Sequence, residues 1–503
     1  MQQQPSFPRH SDAEELAALA RQAMIERGLE PEFPPDALQQ ATQAAAAFPP
    51  AEAADPAVRD LRALPWASVD NDDSRDLDQL TVAEPQAGGK VRILVAVADV
   101  DALVKDGSPA DRHARKNTTS VYTPAVIFPM LPEQFSTDLS SLNPGEDRLA
   151  LVVAYTVNED GRLSDEEVFR ALVRNHAKLA YPSVGAWLEG AGPMPPAMAA
   201  APPVIAEQIA LQDRVAGWLR ARREEEGALE LQTIEPRTAF RDGQVADLYE
   251  DDEERAHALI EDFMIAANGV TTRFLNRSGF PTFRRVVATP ERWDRLQRLA
   301  REYGERLPAE PDSAALNAFL VRRRKADPLR FPDLSLTVVK MMGAGEYRAQ
   351  GPGRRGEGHF GLAVRDYSHS TAPNRRYPDL ITHRLVKAAL AGQAPPYTLA
   401  ELTVLAEHCT LQEDMAKKVE RQVRKSAAAL LLRDRVGATF EGLVTGASSK
   451  GVWVRTLKPP VEGRIISGEH GLDVGDRVRV TLKRVDVTQG YIDFARVERV
   501  ARR

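Results

Sequence analysis

The sequence predicts an α+β protein in three parts: a small helical module over residues 1–58, a large mixed domain over 59–435, and a small β-barrel over 436–503. Three observations carry this. At 503 residues the chain exceeds what one ordinary core sustains, so about three domains are expected. The apolar period changes from helical spacing near the N-terminus to alternating branched residues at 91–100. After Val436 the texture changes again, with short β-rich runs separated by turn residues.

In chain order, Ser11 and Glu14 form a capping-box pattern ahead of a helical stripe of Leu16, Leu19, Ala20 and Met24. A second helix is expected over 35–48 after a proline break, which makes the pair a candidate helix-turn-helix-like unit. Residues 48–56 read as a Pro/Ala-rich linker. The stretch 61–157 is β-rich, with strands expected at 91–100 and 149–157. Residues 189–203, rich in Pro, Gly and Ala, read as a surface loop, and helices are expected over 207–226 and 254–277. Residues 401–435 contain neither Gly nor Pro, which predicts one long helix. Five strands are expected at 439–445, 451–457, 462–466, 477–485 and 491–497, a spacing that suits a barrel.

Composition narrows the class. Hydrophobic residues at 43% and charged residues at 27% are ordinary for a soluble globular protein. The longest apolar run, near 149–157, is far short of the roughly 20 residues a membrane helix needs, and the N-terminus shows no apolar signal core. A single cysteine, Cys409, excludes an internal disulfide framework and fits a reducing compartment, so a cytoplasmic protein with no membrane partner is expected. The net charge of −6 weighs against a protein that merely coats nucleic acid. Basic clusters at 322–325, 354–355, 375–376 and 417–435 are offset by acidic stretches at 70–78 and 250–254. Solvated helix faces account for most such clusters.

The most informative segment is Ser68-Val-Asp70-Asn-Asp-Asp-Ser-Arg-Asp76-Leu-Asp78-Gln79-Leu. Carboxylates gathered in a turn after a short apolar strand make an oxygen-rich site suited to magnesium or manganese. A solvated acidic loop is the plainer alternative on spacing alone. A calcium EF-hand loop fails on detail, because its sixth position is Arg75 where glycine is needed and its twelfth is Thr81 in place of glutamate.

Three further segments make the pattern specific. They are Val121-Tyr122-Thr-Pro with Phe128-Pro-Met-Leu-Pro and Leu139-Ser-Ser-Leu142-Asn; Glu261-Asp-Phe-Met-Ile-Ala-Ala-Asn268; and His359-Phe-Gly-Leu-Ala with Tyr367-Ser-His-Ser-Thr-Ala-Pro373-Asn-Arg375-Arg-Tyr-Pro-Asp379 and His383-Arg384. In kind and order, over residues 60–435, they resemble the ribonuclease II and ribonuclease R family of exoribonucleases. The resemblance implies an α+β catalytic domain with a buried RNA channel. It implies processive 3′-to-5′ hydrolysis of single-stranded RNA to nucleoside 5′-monophosphates by a two-metal mechanism using Mg2+, with Mn2+ as the alternative. No organic cofactor and a monomeric state are expected.

By matched position, the resemblance places Asp70, Asp76 and Asp78 at the metal site, with Asp78 nearest the chemistry. It places Arg375 on the scissile phosphate, a task suited to a planar and permanently charged fork. Arg376 adjoins it in the RNA path. Pro378 reads as the start of a helix, whose N-terminus favours phosphate. Tyr122 falls on an aromatic that stacks against the terminal nucleotides, and Tyr181 on another RNA-contacting position. Glu261 and Glu420 fall on carboxylates that contact ribose hydroxyls. His359, His369 and His383 form no metal or triad arrangement and are expected to be structural.

Several positions depart from the family pattern. Gln79 stands where a fourth aspartate is usual, and Leu231 where a second stacking aromatic is usual. Ala372 and Asn374 replace a serine and a branched residue in the arginine motif. Two cold-shock barrels usually precede the catalytic domain, but the short stretch before Asp70 reads as helical, so a different RNA entry route is expected. The C-terminal segment, with Phe440, Trp453, Gly463, Gly475 and Phe494, resembles an OB-fold barrel of the ribosomal protein S-one type, with Trp453 and Phe440 as candidate stacking platforms and a place in the barrel core as the alternative for either. Two rival readings remain open: an RNA-binding regulator that kept the fold and lost a metal through Gln79, and a translation-associated RNA binder inferred from the barrel.

Overall fold

A seven-stranded sheet organises the large domain. In the computed structural model its strands run in the spatial order Arg59–Asp60, Leu163–Arg174, Asp147–Val157, Val91–Ala98, Gln79–Pro85, Ala67–Asp70, Ala177–Ala180. The structure describes residues 11–232, 236–249, 255–354, 356–448, 451–472 and 474–499, so the acidic stretch 250–254 and Arg355 lie outside the described residues. The central strands Val91–Ala98 and Asp147–Val157 pair antiparallel from Val91↔Val157 to Ala98↔Ala150. Both are buried along nearly their whole length, because helices cover the sheet. Tyr155, buried among them, donates to the Phe263 carbonyl of the covering helix Arg255–Arg277 at 3.3 Å.

The strand Leu163–Arg174 was not legible in the sequence. Its acidic start imitates a turn, yet Glu166 is held by Arg273 and Arg277 (2.8 and 2.7 Å) and Glu167 by Arg92 (2.8 Å). The expected loop at 189–203 contains a short helix, Pro196–Ala200, that buries Met198. Apolar anchoring overrides the Pro- and Gly-rich composition there.

The N-terminal helices Asp12–Glu26 and Pro35–Ala46 form as expected, and Ser11 and Glu14 make the reciprocal capping box (3.0 and 3.2 Å). They have no core of their own. Leu16, Ala20 and Met24 pack with Val121 and Phe128 and with Ala416, Val419 and Val423 of the long helix Leu399–Leu432, while Ala37 and Ala41 enter the main core. Helices this short bury their apolar faces only against a neighbour. The long helix starts at a Thr398–Glu401 capping box and ends at Leu432, where the expected last turn tightens into a 3-10 turn, Arg433–Arg435.

A satellite of three helices, Trp293–Glu302, Ser313–Ala326 and Phe331–Met342, has its own apolar cluster around Trp293, Phe319 and Phe331. The last five strands close into a barrel in the order Thr439–Ser448, Gly451–Thr456, Glu462–Ser467, Tyr491–Arg499, Arg477–Asp486. Closure needs glycine at 463, where a Cβ would lie 2.5 Å from the Phe494 ring and 2.6 Å from the Ile492 carbonyl. The barrel core joins Ala428, Ala429 and Leu432 of the long helix, and Arg455 reaches Asp333 of the satellite at 3.1 Å.

Candidate active site

Strand geometry gathers the aspartates. Ala67–Asp70 ends on Asp70, and Gln79–Pro85 begins one residue after Asp78. The intervening turn is pinned from several sides. Asp70 Oδ1 accepts from the Asn71 N–H (2.7 Å) and the Ser74 hydroxyl (2.9 Å). Lys178 Nζ donates to the Ser74 carbonyl (2.6 Å), and the Leu77 N–H donates to Ser141 Oγ (2.9 Å). The parallel register Asp70↔Ala180 brings Tyr181, first residue of the helix Tyr181–Leu188, beside Asp70.

The arginine loop, residues 372–376, precedes the helix Tyr377–Leu390, as the proline at 378 suggested. Asp379, in the first turn, accepts from the Ala372 N–H and from Arg376 Nη2, both at 2.8 Å, and so holds the loop against its helix. Arg375 Nε then donates to Asp78 Oδ2 at 2.9 Å, and the Asn374 N–H donates to Asp78 Oδ1 at 3.3 Å. About two-fifths of the Arg375 side chain stays open to solvent, whereas Asp78 is buried. The Arg375 carbonyl accepts from the Ser120 N–H (3.0 Å) and Thr119 Oγ1 (3.2 Å), which stitches the loop to the small hairpin Val121–Tyr122 and Ile127–Phe128. The Tyr122 N–H donates to Glu420 Oε1 (2.9 Å), tying that hairpin to the long helix.

Electrostatics follow from burial and crowding. Desolvation pushes Asp78 up to about 7, with Asp76 and Asp70 adding to the effect and Arg375 opposing it. Asp76 is raised for the same reasons, burial first and then its neighbours Asp70 and Asp73. Burial works against the Arg375 charge, but Asp78 outweighs it, so the guanidinium stays protonated. Three hard carboxylates thus share a region in which Arg375 is the cation acting on both Asp76 and Asp78, a donor set that fits a divalent cation such as Mg2+ or Mn2+. Among the described residues no three His, Cys, Asp or Glu side chains form a ready coordination cage. The fit therefore rests on donor chemistry and charge.

The other expected residues divide. Tyr122 and Tyr181 stand close enough to Arg375 and the aspartates for these groups to act on their phenols, which burial raises above the ordinary range. Tyr181 also meets His257 edge-on at 5.1 Å. Glu261 lies exposed on its helix, near Tyr367. Arg376 is engaged with Asp379 and Thr371. Leu231 lies apart, packed against the satellite helices. Trp453 is half-buried on the barrel opposite Arg464 and Gly446. Phe440 is in the barrel core, edge-on to Phe494 at 6.1 Å, which corrects its candidacy as a stacking platform. His383 Nε2 is 2.7 Å from the Ser370 carbonyl, His369 Nδ1 is 2.9 Å from the Tyr347 hydroxyl, and His359, pushed down to about 4 by burial, caps the turn Phe360–Leu362. All three are engaged by groups of the fold.

Ser140, Ser141, Lys178, Asn374 and Asp379 hydrogen-bond within or between these two loops and their neighbours, and the sequence did not assign them roles. Ser140, Ser141, Asn374 and Asp379 lie inside flagged motifs, but their partners are set by tertiary contacts.

Known proteins resemble this chain over most of its length. The RNB domain family matches residues 58–392, and the RNase II-type exonuclease C-terminal S1 domain matches 438–497. Ribonuclease R of Escherichia coli (strain K12) is 31% identical over 476 residues, covering 87% of this chain; the chain spans only 57% of that relative's length. Among solved structures, Mycoplasma genitalium RNase R in complex with ribose methylated single-stranded RNA superposes with a TM-score of 0.86 at 22% identity, covering 98% of this chain and 79% of that one. Yeast Ssd1, a pseudonuclease, superposes with a TM-score of 0.65 at 17% identity, covering 85% and 53%. At these identities the structural likeness shows the fold.

Proposed function

The chain belongs to the RNB domain family, and on that premise we propose that it is a processive 3′-to-5′ exoribonuclease that hydrolyses single-stranded RNA to nucleoside 5′-monophosphates. The observation that carries the reading is the pairing of Arg375 with Asp78, brought together at 2.9 Å from positions 297 residues apart. A surface ion pair needs no such construction. Here a buried carboxylate that pays a desolvation penalty is set against an arginine whose side chain stays partly open to solvent.

Asp70, Asp76 and Asp78 would hold Mg2+ or Mn2+. Two such cations, when bound, would activate the attacking water and offset charge on the leaving oxygen. Arg375 keeps Nε on Asp78 and turns its two terminal amino groups toward the phosphate, where a fork of donors stabilises charge that grows in the transition state. Tyr122 and Tyr181 flank that position and offer stacking faces to the 3′-terminal bases, which grips a strand without reading its sequence. Glu261 and Glu420 are the candidates for ribose hydroxyls. Glu420 also anchors the Tyr122 backbone, so its contact would couple ribose recognition to the stacking residue. Arg376, held by Asp379, supports the loop and adds positive charge along the RNA path. Leu231 would contribute apolar contact farther out. Trp453 on the barrel would guide the incoming strand. The protein would act as a monomer in a reducing compartment such as the cytoplasm, without an organic cofactor.

The rival is an RNA-binding regulator with the same fold, favoured by Gln79 in place of an acidic neighbour to Asp78. Incubating 5′-labelled single-stranded RNA with the purified protein in magnesium, manganese or chelator separates the two. Metal-dependent shortening from the 3′ end with mononucleotide release is expected. RNA that binds yet stays intact in both metals would establish the regulator.

A further inference from the structure

We propose that Ser140 and Asn374 are positioning residues that set Arg375 against Asp78. The functional consequence rests on the hydrolytic reading above; the geometry stands apart from it.

Two adjacent serines hold the two halves of the site. Ser141 Oγ accepts from the Leu77 N–H and lies 2.9 Å from the Arg75 carbonyl, so it fixes the turn that carries Asp76 and Asp78. Ser140 Oγ lies 2.5 Å from the Asn374 side-chain amide, so it fixes the loop that carries Arg375. Segment 139–143 therefore acts as one clamp on both loops. Because Asn374 and Arg375 each donate to one oxygen of Asp78, any shift of the Asn374 backbone moves both donors together.

The chemistry of the Ser140 contact gives it direction. A hydroxyl has one proton to donate. Ser140 Oγ also lies 2.7 Å from the Phe135 carbonyl, but that carbonyl already accepts from the Ser140 N–H at 3.1 Å, which leaves the hydroxyl proton for Asn374. The 2.5 Å separation suits an O–H···O bond, in which Ser140 Oγ donates to Asn374 Oδ1. The far end of the same amide is buried with no protein partner. Among the described residues the bond to Ser140 is thus the sole side-chain hydrogen bond fixing Asn374, which is only 1% exposed. Among the described residues the Arg375 terminal nitrogens make no protein hydrogen bond, so its side chain is held by Asp78. Its backbone is held by the loop that Asn374 anchors and by Ser120 and Thr119, which donate to its carbonyl.

The test uses Asn374→Ala, Ser140→Ala and the double variant in the full chain. The first readout is the Arg375 Nε–H resonance, identified by its loss in Arg375→Lys. In both single variants it should shift and exchange faster with water, and the double variant should match them, because all three remove one bond. An unchanged resonance in the single variants overturns the proposal. The second readout is hydrolysis of labelled RNA. The single variants should lower kcat by about 10- to 100-fold with KM and chelator-state RNA affinity nearly unchanged, the signature of a misplaced group. In an Arg375→Ala background the same substitutions should have no further effect, whereas an equal loss there would mean a merely structural role and overturn the proposal. Should Asn374→Ala fail to fold, Ser140→Ala removes the same bond with a smaller change. A wild-type protein that does not hydrolyse RNA would sink the hydrolytic reading, while the resonance would still decide the positioning.

Discussion

Replacing Arg375 with lysine keeps the charge and removes the fork. In the structure Nε is committed to Asp78 at 2.9 Å, and among the described residues the two terminal amino groups make no protein hydrogen bond. A lysine has one ammonium on a flexible stem and serves either Asp78 or the phosphate with good geometry. The variant therefore loses at least one charge-assisted hydrogen bond, worth about 1.5–3 kcal/mol. At about 1.4 kcal/mol per decade this converts to a fall of roughly 10- to 150-fold in the rate of the chemical step. Single-turnover hydrolysis of a 5′-labelled oligoribonucleotide at saturating protein measures that step directly, and filter binding in chelator reports affinity separately. Affinity should change little, because the other residues proposed to contact the strand are unchanged. Hydrolysis by Arg375→Lys at about the wild-type rate would refute the argument that one guanidinium serves both partners.

Further outcomes follow from other contacts. Asp78→Asn should abolish hydrolysis and leave RNA binding nearly intact, since the amide contributes no charge to a cation and cannot accept from both Arg375 and Asn374; turnover at the wild-type level would remove Asp78 from its assigned role. Tyr122→Ala should weaken RNA binding by about 1–3 kcal/mol while Tyr122→Phe retains it, as measured by fluorescence anisotropy; equal losses in both would point to the hydroxyl and away from stacking. Arg384→Met should destabilise the fold by about 3–5 kcal/mol in urea titrations, because it strands buried carboxylates at Asp101 (3.0 Å) and Asp111 (2.7 Å). Although burial opposes it, Lys387 and Arg384 hold Asp101 down at about 2, below its ordinary 3.8. Its stabilisation is therefore present above about pH 4 and lost as the pH falls through about 2, a contribution of about 2 kcal/mol. Asp101→Asn should flatten that part of the acid-unfolding curve, and an unchanged slope would show that Asp101 is not linked to folding.

What the sequence determined by itself is mostly local. The capping box at Ser11, the long helix without Gly or Pro, the central strands and the five short barrel strands all follow from periodicity and turn chemistry within a few residues, and each formed close to its expected bounds. The aspartate turn and the arginine loop were legible as motifs because their residues are contiguous. Tertiary structure decided what depends on distant partners. The strand Leu163–Arg174 was hidden because the arginines that neutralise its acidic start come from other elements. The N-terminal helices lost their independence because the surface they cover belongs to the long helix and the Tyr122 hairpin. Phe440 and Trp453 looked alike as barrel aromatics, and only strand closure put the first inside and left the second half-exposed. The pairing of Asp78 with Arg375, and the serines that hold both loops, arise because a folded chain brings together hydrogen-bonding groups hundreds of residues apart, and no local pattern encodes which of them will meet.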